Sequence, residues 1–329
     1  GKVKTLNIEA PGAFEVSNVA LTPDRSGLVY SANQDDIDHR HIWQVAVNGG
    51  KARALTAGGS VEDYPVVTGD GRLFTFHGDA RNEVRPVLLS AGGKMADLAP
   101  QANAADFPAD KLVEPQQVVF TSPDGVQVHG QLFLPPKGAA SKGPAMLFFH
   151  GGPTRQMLLG WHPMDAYSFM YGMNQYLASE GYVVLSVNYR GGTGYGLNFR
   201  EPKDFAWKGS SELRDIEGAA HYLASRPDVD PSRIGIWGGS YGGLMTALGL
   251  SRHSDLLAAG VDYAGVHDWA KFVGALPGIT PEQSKTAFDA SAMATIDKWR
   301  SPVLIVHADD DRNVPFGQSV ELVQGLRKN

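Results

Sequence analysis

A chain of 329 residues with 43% hydrophobic and 19% charged residues has the balance of a soluble protein that buries a core, which excludes a disordered tail and a coiled coil. Its 29 Lys and Arg against 35 Asp and Glu leave a net charge of -6, so no global positive field draws nucleic acid or anionic lipid, and neither is an expected partner. Cysteine is absent, so disulfides, thiolate zinc sites and a cysteine nucleophile are excluded together. A hydrolytic nucleophile then has to be Ser, Thr, Asp or a metal-bound water. No apolar run approaches the ~20 residues that span a bilayer, and Gly1-Lys2-Val3-Lys4 has no signal-like apolar core. Cytoplasmic and periplasmic or secreted locations both stay open, as does a homo-oligomer.

The first hundred residues contain an internal repeat. Val19-Ala20-Leu21-Thr22-Pro23-Asp24 matches Pro65-Val66-Val67-Thr68-Gly69-Asp70, and each precedes a strand-like run, Gly27 to Ala32 and Gly71 to Phe76. Later landmarks repeat too: Val47-Asn48-Gly49-Gly50-Lys51 matches Ser90-Ala91-Gly92-Gly93-Lys94, and Ala54-Leu55-Thr56 matches Asp97-Leu98-Ala99. A spacing of about 45 residues between short strands joined by Gly, Asp and Pro turns is that of propeller blades. Residues 1–100 are therefore expected to form a partial β-propeller of about two blades. Rings close with roughly four to eight blades, so the expectation is that this chain is trimmed at its N-terminus. Between Asp35 and His41 three Asp, two His and an Arg are metal-compatible, but on a blade loop they read as solvated charge.

Residues 101–114, rich in Ala, Asp, Gln and Pro, read as a connector. From 115 to 329 strands and helices alternate. Val126 to Leu134 reads as an exposed strand; Ala145 to Phe149 and Tyr182 to Val187 read as buried ones. A helix ends at Ser179, and another over Ser211 to Ser225 sets Leu213, Ile216, Ala220 and Leu223 on one stripe. The strand Ile234 to Trp237, a helix over Leu244 to Leu250, the strand-like Ala258 to Ala264, the strand Val303 to Val306 and a final stripe of Val320, Leu322, Val323 and Leu326 complete the pattern. This alternation predicts an α/β fold around a mostly parallel sheet, with active groups at the strand ends.

Gly238-Gly239-Ser240-Tyr241-Gly242 fits a nucleophile elbow, in which a serine on a tight strand-to-helix turn projects its hydroxyl away from the sheet. With 39 glycines the five-letter pattern alone is weak, but here a buried strand runs directly in and a helix directly out. Larger side chains two before or two after the serine would collide where strand and helix cross. The amide of Tyr241 and that of Gly152, in the strand-ending turn His150-Gly151-Gly152-Pro153, are the candidate oxyanion donors. The His150 ring is expected to shape that loop, not to transfer protons. The segment His307-Ala308-Asp309-Asp310-Asp311-Arg312-Asn313 follows a strand and supplies a carboxylate downstream of the serine, the order of the hydrolase triad, although three consecutive Asp read alone equally fit a solvated turn or a weak cation site. The Gly-rich run Gly191 to Gly196 invites a dinucleotide reading, but Leu197 and Phe199 stand where the fingerprint needs glycine, and no Walker motif occurs.

On the HGGP turn, the segment Asn188-Tyr189-Arg190-Gly191-Gly192-Thr193-Gly194-Tyr195-Gly196, the Trp237 to Gly243 elbow and the aspartate segment, residues 115–329 resemble the catalytic domain of the prolyl oligopeptidase family of serine peptidases. The acylaminoacyl-peptidase and dipeptidyl-peptidase-like branch is the most similar. The resemblance implies an α/β-hydrolase domain preceded by the last blades of a β-propeller, with Ser240 as nucleophile and Asp311 as triad acid. It also implies that Asn313 lies near the bound peptide, that the region of Trp269 and Phe272 lines the specificity pocket, and that no metal or organic cofactor is needed. Core packing is an equal reading for Trp269 and Phe272.

One departure stands out. None of the ten histidines comes after Asp311, whereas the family carries its catalytic histidine some thirty residues beyond the aspartate. His307, four residues before Asp311, is expected to remain at the strand end and not to substitute. The expectation is a serine peptidase of short peptides in a C-terminally incomplete chain that is itself inactive. An α/β-hydrolase esterase and a non-catalytic peptide-binding module are the alternatives.

Overall fold

The computed structural model describes residues 8–9, 14–102, 104–136, 142–274 and 276–329, and the opening Gly1 to Lys4 lies outside the described residues. The chain separates into two compact units, one of Gly1–Gln116 with Leu158–Gln175 and Gly194–Gly196, the other of Gln117–Met157, Tyr176–Thr193 and Leu197–Asn329.

In the first unit the strands Val16–Leu21, Gly27–Ala32, His41–Ala46 and Arg53–Ala54 form one antiparallel meander. Ser60–Val67, Leu73–Asp79, Arg85–Leu89 and Met95–Asp97 form a second. The repeated letters have repeated jobs. Thr22 and Thr68 each donate a hydroxyl proton to the aspartate two residues on, Asp24 and Asp70, at 2.6 and 2.5 Å, which closes the turn between the first two strands of each blade. At the matching Gly pairs the backbone is left-handed, with φ of 88° and 111° at Gly49 and Gly50 and 94° and 84° at Gly92 and Gly93, a conformation that disfavours side chains. The Asp35 to His41 stretch is not simply solvated charge. Asp38, Arg40 and His41 are buried, the Tyr195 hydroxyl donates to Asp38 at 2.7 Å, and His41 and His77 reach the two oxygens of Glu62 at 3.0 and 2.8 Å. Among the described residues no cluster of His, Asp and Glu is arranged to hold a metal ion.

The second unit is built on a seven-stranded sheet in the order Gln116–Thr121, Gln127–Phe133, Val183–Asn188, Gly143–Phe149, Val229–Gly239, Ala259–Tyr263, Val303–Val306. The last five run parallel. Runs such as Val183–Asn188, buried at every position, are strands covered on both faces, and helices Leu213–Ala224 and Tyr241–Arg252 pack into the same core. Each fully buried Leu, Ile or Val there contributes about 1.5–3 kcal/mol. After Gly143–Phe149 the chain steps to one side of that strand and then returns to the other. This reversal opens a crevice beyond the carboxyl ends of Gly143–Phe149 and Val229–Gly239, where ligands bind in such sheets. The fold is an α/β-hydrolase domain preceded by β-propeller blades.

Two sequence expectations need correction. Gln127–Phe133 is not an exposed strand: from Gly130 onward it is interior, with Gln131 donating to the Met157 carbonyl oxygen. The strand expected over Ile234 to Trp237 extends over Val229–Gly239. No described helix is long and apolar enough to cross a membrane.

Arg190, just past the end of Val183–Asn188, forks between two carboxylates. Its Nη1 and Nη2 donate to Asp124 at 2.6 and 2.9 Å, while Nη2 also donates to the buried Asp215 at 2.6 Å. The guanidinium holds the Asp124 carboxyl down at about 2. Replacing Arg190 by Ala leaves Asp215 buried without its cation, and urea denaturation should show a loss of roughly 3–5 kcal/mol.

Candidate active site

Ser240 stands between the last residue of the strand Val229–Gly239 and the first of the helix Tyr241–Arg252, with φ 57° and ψ -116°. A non-glycine residue is held there only when its surroundings dictate it. They do. A Cβ on Gly238 would lie 2.3 Å from the Phe149 carbonyl oxygen, and one on Gly242 2.0 Å from the same atom. Strand and helix therefore cross in contact with the end of the neighbouring strand, and the chain has to reverse within one residue. The Ser240 amide donates to the Tyr263 carbonyl at 2.8 Å, its carbonyl accepts the first helical bond from Leu244, and its side chain is exposed.

The HGGP turn lies against this elbow. A Cβ on Gly151 would meet the Gly239 carbonyl oxygen at 2.8 Å and the Ser240 Cβ at 3.2 Å, so glycine lets the turn press onto the nucleophile residue. Gly152 comes next with φ 90°, exposed. Among the described residues neither the Gly152 nor the Tyr241 amide donates to a protein acceptor, which leaves both open to an oxyanion. His150 is fully buried, its Nδ1 bonded to the Gly151 carbonyl at 2.9 Å, and burial pushes its pKa down to about 4, in keeping with a shaping role.

The third member sits two strands away. Gly239 pairs with Tyr263 and Tyr263 with Val306, so Ser240 and His307 leave the sheet at one level, about 10 Å apart at the usual strand spacing. Asp311 lies in the ensuing turn, where its Oδ1 accepts the amides of Asn313 and Val314 at 2.8 and 3.0 Å, and these bonds hold its carboxyl below the usual range. His307 directly follows the strand Val303–Val306. Its ring reaches Asp311, with Nε2 3.3 Å from Oδ2, but Nε2 also faces the Val314 carbonyl at 3.1 Å and Nδ1 the Ser319 hydroxyl at 2.7 Å. Asn313 is exposed beside Asp311. Trp269 is buried and leans on Tyr241 at 5.9 Å, whereas Phe272, in T-shaped contact with Trp269 at 5.5 Å, is 38% exposed. The first thus belongs to the core and the second borders solvent.

The Asn188 to Gly196 motif supports this site instead of binding a nucleotide. Asn188 clamps Met157, accepting from its amide at 2.7 Å and donating to its carbonyl at 2.9 Å. The Tyr189 hydroxyl donates to the His150 carbonyl at 2.8 Å, and its ring stacks on both His150 and Tyr241. Sequence reasoning assigned neither residue a job; a polar pair directly after a buried strand was the available signal.

A model of the prolyl oligopeptidase family matches residues 167–329. That stretch, which holds the elbow and the Asp311 turn, is where the chain is similar to the prolyl oligopeptidase family. The chain is 30% identical over 200 residues to dipeptidyl aminopeptidase BIII of Pseudoxanthomonas mexicana, covering 56% of this chain and 28% of that protein. It is 30% identical over 333 residues to human dipeptidyl peptidase 8, covering 94% and 36% respectively. The solved Pyrococcus horikoshii acylaminoacyl peptidase superposes with a TM-score of 0.76 at 24% identity, covering 96% of this chain and 49% of that one, a likeness of fold. The chain spans about a third of the length of the curated relatives it matches.

Because the elbow has no room at position 242, Gly242→Ala should lower the melting temperature sharply or prevent folding. Gly317→Ala, at a position with open space, should leave it nearly unchanged.

Proposed function

We propose that this chain carries the catalytic core of a serine peptidase acting on short peptides, with Ser240 as nucleophile, Gly152 and Tyr241 as oxyanion donors and Asp311 as the orienting carboxylate. The observation that carries the reading is the forced backbone of Ser240, an exposed residue against which the HGGP turn is pressed. The family match and the names of the relatives support peptide bonds as the target.

In the proposed reaction the Ser240 oxygen bonds to the peptide carbonyl carbon, its proton passes to a histidine, and the carbonyl oxygen becomes an oxyanion between the two amides. The C–N bond then breaks, and the departing amine takes the proton from the imidazolium. Water repeats the sequence on the acyl-enzyme and regenerates the hydroxyl. Asp311, ionised at neutral pH, suits the task of orienting and stabilising that imidazolium. His307 does not suit the role of base, with both ring nitrogens engaged. The base is proposed to be a histidine outside residues 1–329. Phe272 and Asn313 are proposed to meet the substrate, Phe272 at its apolar side chain and Asn313 at a carbonyl, with Trp269 packed behind Phe272.

Two measurements test this. A fluorophosphonate probe should label Ser240 in a chain that continues through such a histidine, and labelling that persists in its Ser240→Ala variant ends the assignment. Labelling of residues 1–329 should be slower by roughly four to six powers of ten than that of a chain that continues through such a histidine. Equal rates would show that the base lies within these residues. Turnover of nitrophenyl esters without detectable turnover of peptide anilides by the longer chain would favour an esterase.

A further inference from the structure

Behind the elbow lies a carboxyl group that the proposed reaction does not use. Glu212, immediately before the helix Leu213–Ala224, is fully buried. Its Oε1 accepts from the Tyr241 hydroxyl at 2.5 Å and its Oε2 from the Ala206 amide at 3.2 Å. No described cation pairs with it. The guanidinium of Arg190 is taken by Asp124 and Asp215, and that of Arg214 by Asp124 and Asp204. The titratable groups facing Glu212 are Tyr241 from the elbow helix and Asp215 one turn along its own helix, and neither supplies positive charge. Burial consequently pushes the Glu212 carboxyl up to about 7, and burial together with Glu212 pushes the Tyr241 hydroxyl well above its ordinary value, so that Tyr241 remains a donor.

Tyr241 is also the residue whose amide faces the oxyanion. Its ring lies nearly parallel to Tyr189 and Phe205, at 5.9 and 5.6 Å with tilts of 9° and 12°, and Trp269 leans on it. A ring packed against two nearly parallel neighbours and tied at its tip is held in one orientation, and it shares a Cα with the amide. We propose that Glu212 is a positioning residue of the oxyanion site: through the Tyr241 hydroxyl it fixes the aim of the residue 241 amide, and its ionisation weakens binding of negative charge there. This rests on Ser240 being the nucleophile. Two negative charges about 10 Å apart in a poorly solvated setting repel enough to change binding roughly three- to tenfold.

Phenylboronic acid tests the idea without a catalytic base, because boron bonds to the serine oxygen, the hydroxyl proton passes to solvent, and the resulting tetrahedral anion occupies the oxyanion site. Its dissociation constant is measured by tryptophan fluorescence between about pH 5 and pH 8 for the unsubstituted chain, Glu212→Gln, Tyr241→Phe and Ser240→Ala. Gln keeps both hydrogen bonds by turning its carbonyl to Ala206 and its amino group to the Tyr241 oxygen. The ratio of dissociation constants, unsubstituted over Glu212→Gln, should rise about three- to tenfold with a midpoint near 7. A ratio flat with pH overturns the proposal. Tyr241→Phe, with its tether cut, should bind more weakly than the unsubstituted chain at every pH; unchanged binding overturns the positioning role. Undiminished binding by Ser240→Ala instead removes the nucleophile reading, and this proposal with it.

Should Glu212→Gln fail to fold, the unsubstituted chain carries the test by linkage. Carbon-13 NMR of labelled glutamate should show bound phenylboronate raising the Glu212 titration midpoint by about half a pH unit to one, and no movement overturns the proposal. Stability provides a second check. A carboxyl raised from 4.5 to about 7 stabilises the fold fully below 4.5, and that contribution is lost as pH rises through 7. The melting temperature of the unsubstituted chain should therefore fall relative to Glu212→Gln over that interval.

Discussion

Where the strand Val229–Gly239 gives way to the helix Tyr241–Arg252, the carbonyl oxygen of Phe149 occupies the space that a side chain at 238 or 242 would need. That single approach sets most of the geometry of the crevice. It brings the neighbouring strand end, and with it the HGGP turn, against the serine. It leaves Ser240 no extended or helical conformation that joins strand to helix, so the residue takes φ 57° and turns its hydroxyl outward. The backbone strain there is on the order of 1–3 kcal/mol and is opposed by the core beneath, where the strand and helix bury Ile234, Ile236, Leu244, Met245 and Leu248.

A layer of polar and aromatic side chains behind the crevice keeps the approach in register. Tyr189 contacts both sides of the crevice, its hydroxyl on the His150 carbonyl and its ring on Tyr241. The backbone on which an oxyanion would rest is thus supported from one residue. Polar groups in such a place are costly when unpaired, and here they form a closed set: tyrosine to carbonyl, tyrosine to carboxyl, carboxyl to amide. A wholly apolar layer would pack as densely but would not specify the rotation of the rings.

The sequence made the alternation of strands and helices legible because buried parallel strands are continuous apolar runs, and the elbow because its glycines answer to a local collision. The blades were legible for the same reason, since Thr-x-Asp and Gly-Gly are requirements of short turns. What escaped depended on distant partners. Gln127, His129 and Gln131 suggested a solvent-facing strand, yet Gln131 is interior because the Met157 carbonyl is there to receive it. Nothing beside Glu212 in the sequence marks it as buried, because the hydroxyl it accepts from belongs to Tyr241, 29 residues on. His41, similarly, is buried because Glu62 faces it from the next blade. Periodicity reports which face is buried but carries no record of which polar group waits there.

The relation of His307 to Asp311 shows why contact is not function. The turn after Val303–Val306 curls back, with the Asp311 amide on the Ala308 carbonyl, and so brings the carboxylate over a ring that a simple strand-end picture leaves behind. An imidazole has two nitrogens, and both are spoken for. The Val314 carbonyl can only accept, so Nε2 must carry a proton, while Nδ1 faces the Ser319 hydroxyl on the following helix. Neither nitrogen is left to take a proton from Ser240. The ring instead ties the acidic turn to the helix Gly317–Leu326, and together with two backbone amides it keeps the Asp311 carboxylate ionised and fixed at the rim of the sheet. Its two backbone bonds alone would make Asp311 one more turn aspartate, like Asp24 and Asp70 in the blades; its place beyond the strand ends that also carry Ser240 is what would let it face a cation, such as the imidazolium formed when a serine hydroxyl is deprotonated.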